Sequence, residues 1–278
     1  MISPLDVEAL RRALVDSPVP FRLSQHARVG STQDLAAEAA SAGAAEGLVI
    51  LADQQLSGRG RAGRSWVAPP GSALMFSLLL RPPPGRPDWS TISLAAGLAV
   101  VEGVALAGGP RARLKWPNDC LCGERKLAGI LAEASPAPAG GSVVLGVGCN
   151  VRWEGCELSP ELRRSATACD VEGRPVDPTR LAEEVLRRLA ARYLEWCSSG
   201  FRVLRDEWLR NAAWMGEEVV ADHPSGPVRG RAVDISDAGE LILASRSGTL
   251  LISAGELRRR RRPLLRLARE SATATNGG

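Results

Sequence analysis

A loop carrying three arginines between two buried strands is the feature that most limits what this chain can fold into. GLVILAD, residues 47–53, is a continuous apolar run of strand length, and SALMFSLLLRP from residue 72 is a second. Between them, Gly58-Arg59-Gly60-Arg61-Ala62-Gly63 spells GxGxxG, the glycine spacing of dinucleotide-binding turns. That turn requires a helix to open at its third glycine, so that a pyrophosphate rests on the helix N-terminus. Here Pro69-Pro70 and a strand follow, which excludes the dinucleotide reading. The GxxxxGK(S/T) phosphate loop is also absent. What remains is a flexible backbone presenting Arg59, Arg61 and Arg64, able to close over a polyanion such as a nucleoside triphosphate and offset its charge.

The surrounding periodicities place this loop in an α+β chain. They predict a helix near 5–15, a strand near 21–29, and a helix opened by Ser31-Thr32-Gln33-Asp34 and ended at Gly43, with the acid three residues after the serine resembling a capping box. A core helix is predicted near 89–107, strands at RARLKW, KLAGILAEA and SVVLGVGCNV, and helices near 178–197 and 201–211. After Met215 the pattern changes to short strands (EEVVAD, VRGRAVDIS, GELILAS, GTLLISA) separated by Asp-Ala-Gly and Ser-Gly turns, which predicts a small antiparallel barrel. The expected division is a domain over 1–215, a barrel over 216–263 and a disordered tail over 264–278.

Charge and composition narrow the function classes. The net charge of +4 is mild and much of it sits in Arg258 to Arg262, so no general nucleic-acid surface is expected. The N-terminus lacks a secretory h-region and the apolar run from residue 94 is shorter than a bilayer span, so a cytoplasmic protein without a membrane segment is expected. Six cysteines without CxxC pairing and two distant histidines, His26 and His223, argue against a metal site and against histidine acid–base chemistry.

Among 35 basic residues only Lys115 and Lys126 are lysine, and both lie in LKWPNDCLCGERKLAGIL. An ammonium is a compact point charge that can follow a developing oxyanion, whereas guanidinium favours fixed bidentate geometry. In the same segment, Asn118 follows a rigid Pro117 and offers a donor and an acceptor, while Gly129 permits close approach of a ligand to the backbone. Trp116 reads as core. Gly146-Val147-Gly148-Cys149-Asn150 ends a strand with two glycines suited to packing against a flat ring.

Taken together, GRGRAGRSW, KWPND, RKLAGIL and GVGCN, in that order, resemble the motifs of biotin protein ligases, with Ser31-Thr32, Gln55 and the C-terminal GRAVDISDAGELIL extending the resemblance over most of the chain. The resemblance implies a class II synthetase-like biotin/lipoate ligase fold, a central mixed β-sheet flanked by helices, with a small C-terminal SH3-like β-barrel. It implies adenylation of biotin by ATP, with Mg²⁺ on the phosphates, and transfer of biotin to a lysine of a biotin carboxyl carrier domain. Ser31, Thr32, Gln33, Gln55, Gly58, Arg59, Gly60, Arg61, Lys126 and Gly129 would bind biotin. Gln33 departs from the asparagine usual there. Arg64, Trp66, Lys115, Asn118 and Asn150 would bind the nucleotide, and Arg59 and Lys126 would act on the reacting carboxylate and α-phosphate.

Two alternatives stand beside this reading: a lipoate or octanoate ligase of the same fold, and a nucleic-acid-binding protein using the C-terminal arginines. Thirty residues with one helix precede Ser31, so operator binding is not expected. Monomer and homodimer are both left open.

Overall fold

In the computed structural model, described over residues 4–84, 89–135, 141–223 and 226–259, the chain forms a mixed seven-stranded sheet with helices and a separate antiparallel sheet of five strands. The elements of the first part are α1 (Val7–Ala13), β1 (Arg22–Val29), α2 (Thr32–Ser41), β2 (Leu48–Gln55), β3 (Ala73–Leu80), α3 (Ile92–Leu106), β4 (Arg113–Lys115), β5 (Asp119–Cys122), β6 (Arg125–Ser135), β7 (Ser142–Asn150), α4 (Pro160–Ser165), α5 (Pro178–Ser199) and α6 (Arg205–Asn211). The strand order is β1-β2-β3-β7-β6-β5-β4. β1 runs parallel to β2 and every other pairing is antiparallel.

Burial follows from the residue patterns. β3 is apolar on both faces because α2 covers one side and the main core, shared with α3 and α5, covers the other. The segment Trp89–Leu106 has a mean hydropathy of 1.6 and is long and apolar enough to cross a membrane, yet it is mostly buried and serves as the core helix. Gly103 lets α3 approach α5 closely, since a Cβ there would lie 2.7 Å from Val185 Cα. α5 buries Leu181, Val185, Leu189 and Trp196 along one stripe; Asp177 caps its first turn and Pro178 occupies the first helical position.

The five-stranded sheet comprises β8 (Glu218–Ala221), β9 (Val228–Ile235), β10 (Leu241–Ser245), β11 (Gly248–Ile252) and β12 (Leu257–Arg259), in the order β11-β10-β9-β8-β12. Trp116, fully buried as its surroundings predict, joins the two sheets by donating Nε1–H to the Gly239 carbonyl at 2.9 Å.

Three elements differ from the sequence expectation. KWPND is the turn of a hairpin, pairing Lys115 with Asp119, so DCLC forms the additional strand β5. α4 is short enough to escape a periodicity argument, although Ser159 and Pro160 mark its start. β12 lies inside what reads as a solvated charge run. Leu257 is buried, Arg258 pairs with Asp222 and Glu256, and Arg259 pairs with Glu124 and Glu217. The remaining arginines of the run and the tail lie outside the described residues.

Candidate active site

The arginine loop folds back on itself instead of opening a helix. Trp66 N–H donates to Gly58 O at 2.8 Å, Arg59 bridges Ser65, and Gly60 N–H donates to Arg64 O at 2.7 Å. Ala62 and Gly63 reverse the chain with φ of 54° and 71°. Gly58 is required by closeness, because a Cβ there would lie 2.6 Å from Trp66 O. It therefore shapes the loop and is not among the residues that line the two recesses.

Two adjoining recesses lie under this loop. The first is lined by Ser31, Thr32, Gln33 and Gln55 on one side and by Gly129, Ile130, Gly146 and Gly148 on the other. Its floor is a hydrogen-bonded polar row without formal charge. Ser77 Oγ donates to Gln33 Oε1 at 3.0 Å and meets Thr32 Oγ1 at 2.9 Å, and Thr32 Oγ1 lies 3.1 Å from Gln55 Oε1. Gln33 Nε2 donates to Val144 O, and its Oε1 would be 2.6 Å from any Cβ at residue 146. The longer amide is thus accommodated by Gly146. Ser31 caps α2, accepting from Gln33 N–H, but Asp34 does not complete a capping box; it pairs with Arg59.

The second recess is lined by Arg64, Lys115, Asn118, Asp119 and, from the five-stranded sheet, Asp222 and Glu256. Gly60, Arg61, Trp66, Asn118 and Lys126 line both. Arg61 donates to Asn118 Oδ1 at 3.3 Å; burial lowers its pKa, opposed by Asp119 and reinforced by Arg64. The Trp66 ring lies against Gly148, where a Cβ would approach Cε2 to 2.5 Å, and Lys126 Nζ stands 5.6 Å from the ring centroid. Gly148 therefore receives a ring from this chain, while Gly146 faces the Gln33 amide. Trp66 Nε1 is buried without a partner. Gly129 is likewise covered, since a Cβ would meet Lys126 Cε and Nζ at 2.8 Å.

Lys115 and Lys126 flank one carboxylate. Asp119 Oδ1 lies 2.6 Å from Lys126 Nζ and Oδ2 lies 3.5 Å from Lys115 Nζ. Lys115 Nζ is also 3.7 Å from Glu256 Oε1, and Glu256 Oε2 accepts from Arg64 at 2.5 Å. Burial acts to raise the Glu256 pKa, but the Arg64 hydrogen bond and the charges of Lys115, Arg64 and Arg258 bring it below the usual carboxylate range. The result is an alternating row, Arg64, Glu256, Lys115, Asp119, Lys126, running from the second sheet to the shared wall.

Asn150 lines neither recess. It is buried, donates to Thr167 O at 2.9 Å and faces Lys126 O at 3.5 Å, so it fixes the backbone that carries Lys126. Ser77, Asp119 and Glu256 were not singled out by the sequence. Ser77 is the lone polar residue of ALMFSLLL and Asp119 completes KWPND, so each left a trace; Glu256 left none. Cys120, Cys122, Cys149 and Cys169 are buried, and burial, with Glu172 next, pushes the Cys122 thiol up to about 11.

A mixed sheet and a small second sheet that meet at a polar recess and at a charged one form an arrangement compatible with ligases that join two bound reactants. Comparison with known proteins identifies which ligases these are. The profile of the Biotin/lipoate A/B protein ligase family matches residues 26–150, and that of the Biotin protein ligase C terminal domain matches residues 215–257. The chain is 39% identical over 261 residues to the biotin–acetyl-CoA-carboxylase ligase of Mycobacterium tuberculosis, covering 91% of this chain and 95% of that one. It is 32% identical to the bifunctional ligase/repressor BirA of Bacillus subtilis, covering 91% of this chain and 78% of that one. The biotin protein ligase of Aquifex aeolicus, solved in complex with biotin and ATP, superposes with a TM-score of 0.75 at 28% identity, over 87% of this chain and 99% of that one. The chain belongs to the biotin protein ligase family, whose members are ATP-dependent ligases of biotin.

Proposed function

We propose that the first recess holds biotin, the second holds ATP, and the shared wall is where they react. The supporting observation is that Arg61 and Lys126 line both recesses at once. A neutral floor of amides and hydroxyls suits an uncharged ring with its own donors and acceptors. The second recess, where Arg61, Arg64, Lys115 and Lys126 outnumber Asp119, Asp222 and Glu256, suits a triphosphate. A biotin carboxylate oxygen attacks the α-phosphorus; the bond from that phosphorus to the bridging oxygen breaks, and pyrophosphate leaves with the electron pair. No base is needed, because the carboxylate reacts ionised.

Lys126 follows the negative charge developing on the α-phosphate, and Arg61 offsets the repulsion between the two anions. Arg59, named beside Lys126 from the sequence, lines the first recess but not the second and pairs with Asp34 and Glu133, so its part is given to the loop. Magnesium enters as the nucleotide's own counter-ion. The nearby carboxylates, Asp119 and Glu256, are held by lysine and arginine, and among the described residues no three acidic, histidine or cysteine side chains gather as a metal site.

In the second half, a lysine amine of a biotin carboxyl carrier domain attacks the acyl carbon, AMP leaves, and the amine loses a proton. The ligase part is assigned to residues 1–215 and the smaller domain to 216–263. The test is pyrophosphate release with biotin, ATP and Mg²⁺, followed by labelling of a carrier domain. Turnover with lipoate but none with biotin would overturn the substrate assignment.

A further inference from the structure

The start of the arginine loop is gripped by two walls of the first recess at once. Arg59 donates Nη1 to Asp34 on α2 and Nη2 to Glu133 on β6. Asp34 directly follows Ser31, Thr32 and Gln33, which line one side of that recess, and Glu133 lies two residues beyond Leu131, which lines the other. One guanidinium therefore spans the recess from wall to wall. A planar fork reaches the two carboxylates with separate nitrogens, which a single ammonium nitrogen does only where the carboxylates lie close together. The loop behind Arg59 is closed on itself by the Gly60–Arg64 and Gly58–Trp66 backbone bonds, so pinning Arg59 pins a unit that includes Arg61.

We propose that Asp34 and Glu133 are positioning residues that clamp the loop over the recess through Arg59 and thereby set how long the acyl-adenylate is retained. This rests on the biotin-adenylating reading above. The carboxylates are partly solvated, with side-chain exposures of 47% and 37%. Such pairs are individually weak and screened by salt, which suits a clamp that has to open for the acceptor lysine. Neither residue touches the reacting atoms. Their effect reaches the reaction only through the loop.

The test is the double variant Asp34→Asn/Glu133→Gln, which keeps side-chain size and removes both charges. Preformed adenylate, chased with excess unlabelled biotin, is expected to dissociate about 3- to 10-fold faster from the variant at low salt. At high salt the wild type should approach the variant. Arg59→Lys should resemble the double variant, and adding Arg59→Gln to it should change nothing further. Equal or slower dissociation from the double variant overturns the proposal, slower release meaning that the carboxylates withhold Arg59 from the ligand.

A second measurement needs no ligand. Trypsin should cut the loop of the unliganded double variant faster than that of the wild type, with unchanged thermal unfolding. Equal cleavage rates overturn the clamp. If the wild type formed no adenylate at all, the proposed function would fail, while the proteolysis comparison would still decide the clamp.

Discussion

Lys126 Nζ lies 2.6 Å from Asp119 Oδ1, and the same carboxylate reaches the chain's other lysine, Lys115, at 3.5 Å. Two residues that stand out in the sequence for their rarity are thus one electrostatic unit. The carboxylate orients Lys126 at the shared wall and, with a side-chain exposure of 17%, is itself well shielded from water.

Replacing Asp119 by Asn should therefore reduce the rate of pyrophosphate release by about 10- to 100-fold, because the ammonium loses its alignment while keeping its charge. Lys126→Arg should be comparably impaired, since a fork does not fit a point-charge seat. Steady-state pyrophosphate assays read both, and an unchanged kcat in either variant would contradict the role given to Lys126.

Gly148 is the seat of the Trp66 indole. Gly148→Ala places a methyl group 2.5 Å from Trp66 Cε2, so the ring must leave the shared wall. The expected outcome is a rise in the KM for ATP of about 10-fold, with a changed tryptophan emission spectrum. Adding Trp66→Ala should restore the melting temperature but not the KM; full activity in Gly148→Ala would show that the ring position is irrelevant.

Glu256 couples the second sheet to the second recess, where ATP is proposed to bind. Glu256→Gln should raise the KM for ATP several-fold and leave that for biotin unchanged, because Arg64 and Lys115, which line the second recess, lose this partner, as does Arg258. The pH dependence has a defined sign. Because the folded carboxylate titrates below its ordinary value, its stabilising effect is complete above about pH 4.3 and is lost as the pH falls through the lower folded value. Urea midpoints of wild type and variant should differ at neutral pH and converge in acid. A gap that persists there would assign the effect to packing.

With only Lys115 and Lys126 in the chain, the side-chain exposures being 11% and 33%, adenylate that leaks into solution finds few amines on the enzyme. Self-biotinylation should be low and confined to these lysines and the N-terminus, as peptide mass spectrometry would read. Heavy labelling of Lys115 would show that the second recess opens far more than its ion pairs imply.

The local part of this protein is legible in its amino-acid order. The apolar runs of β2, β3 and β7, the caps of α5 and the four motifs depend on neighbouring residues, and steric and burial rules act on them directly. The exclusion of a dinucleotide turn is of this kind, because Pro69-Pro70 forbids the helix it needs. Which charge meets which is not legible there. Arg59 faces Asp34 and Glu133, 25 and 74 residues away, and Arg64 faces Glu256 at a separation of 192. Such partners carry no periodic signal. Only the sheet order and the placement of the second sheet bring them within reach, and they place Arg61, but not Arg59, at the wall common to both recesses. The amino-acid sequence by itself determined which charged and polar groups were available; the tertiary structure decided which of them meet, because ion pairing is settled by distance and burial in three dimensions.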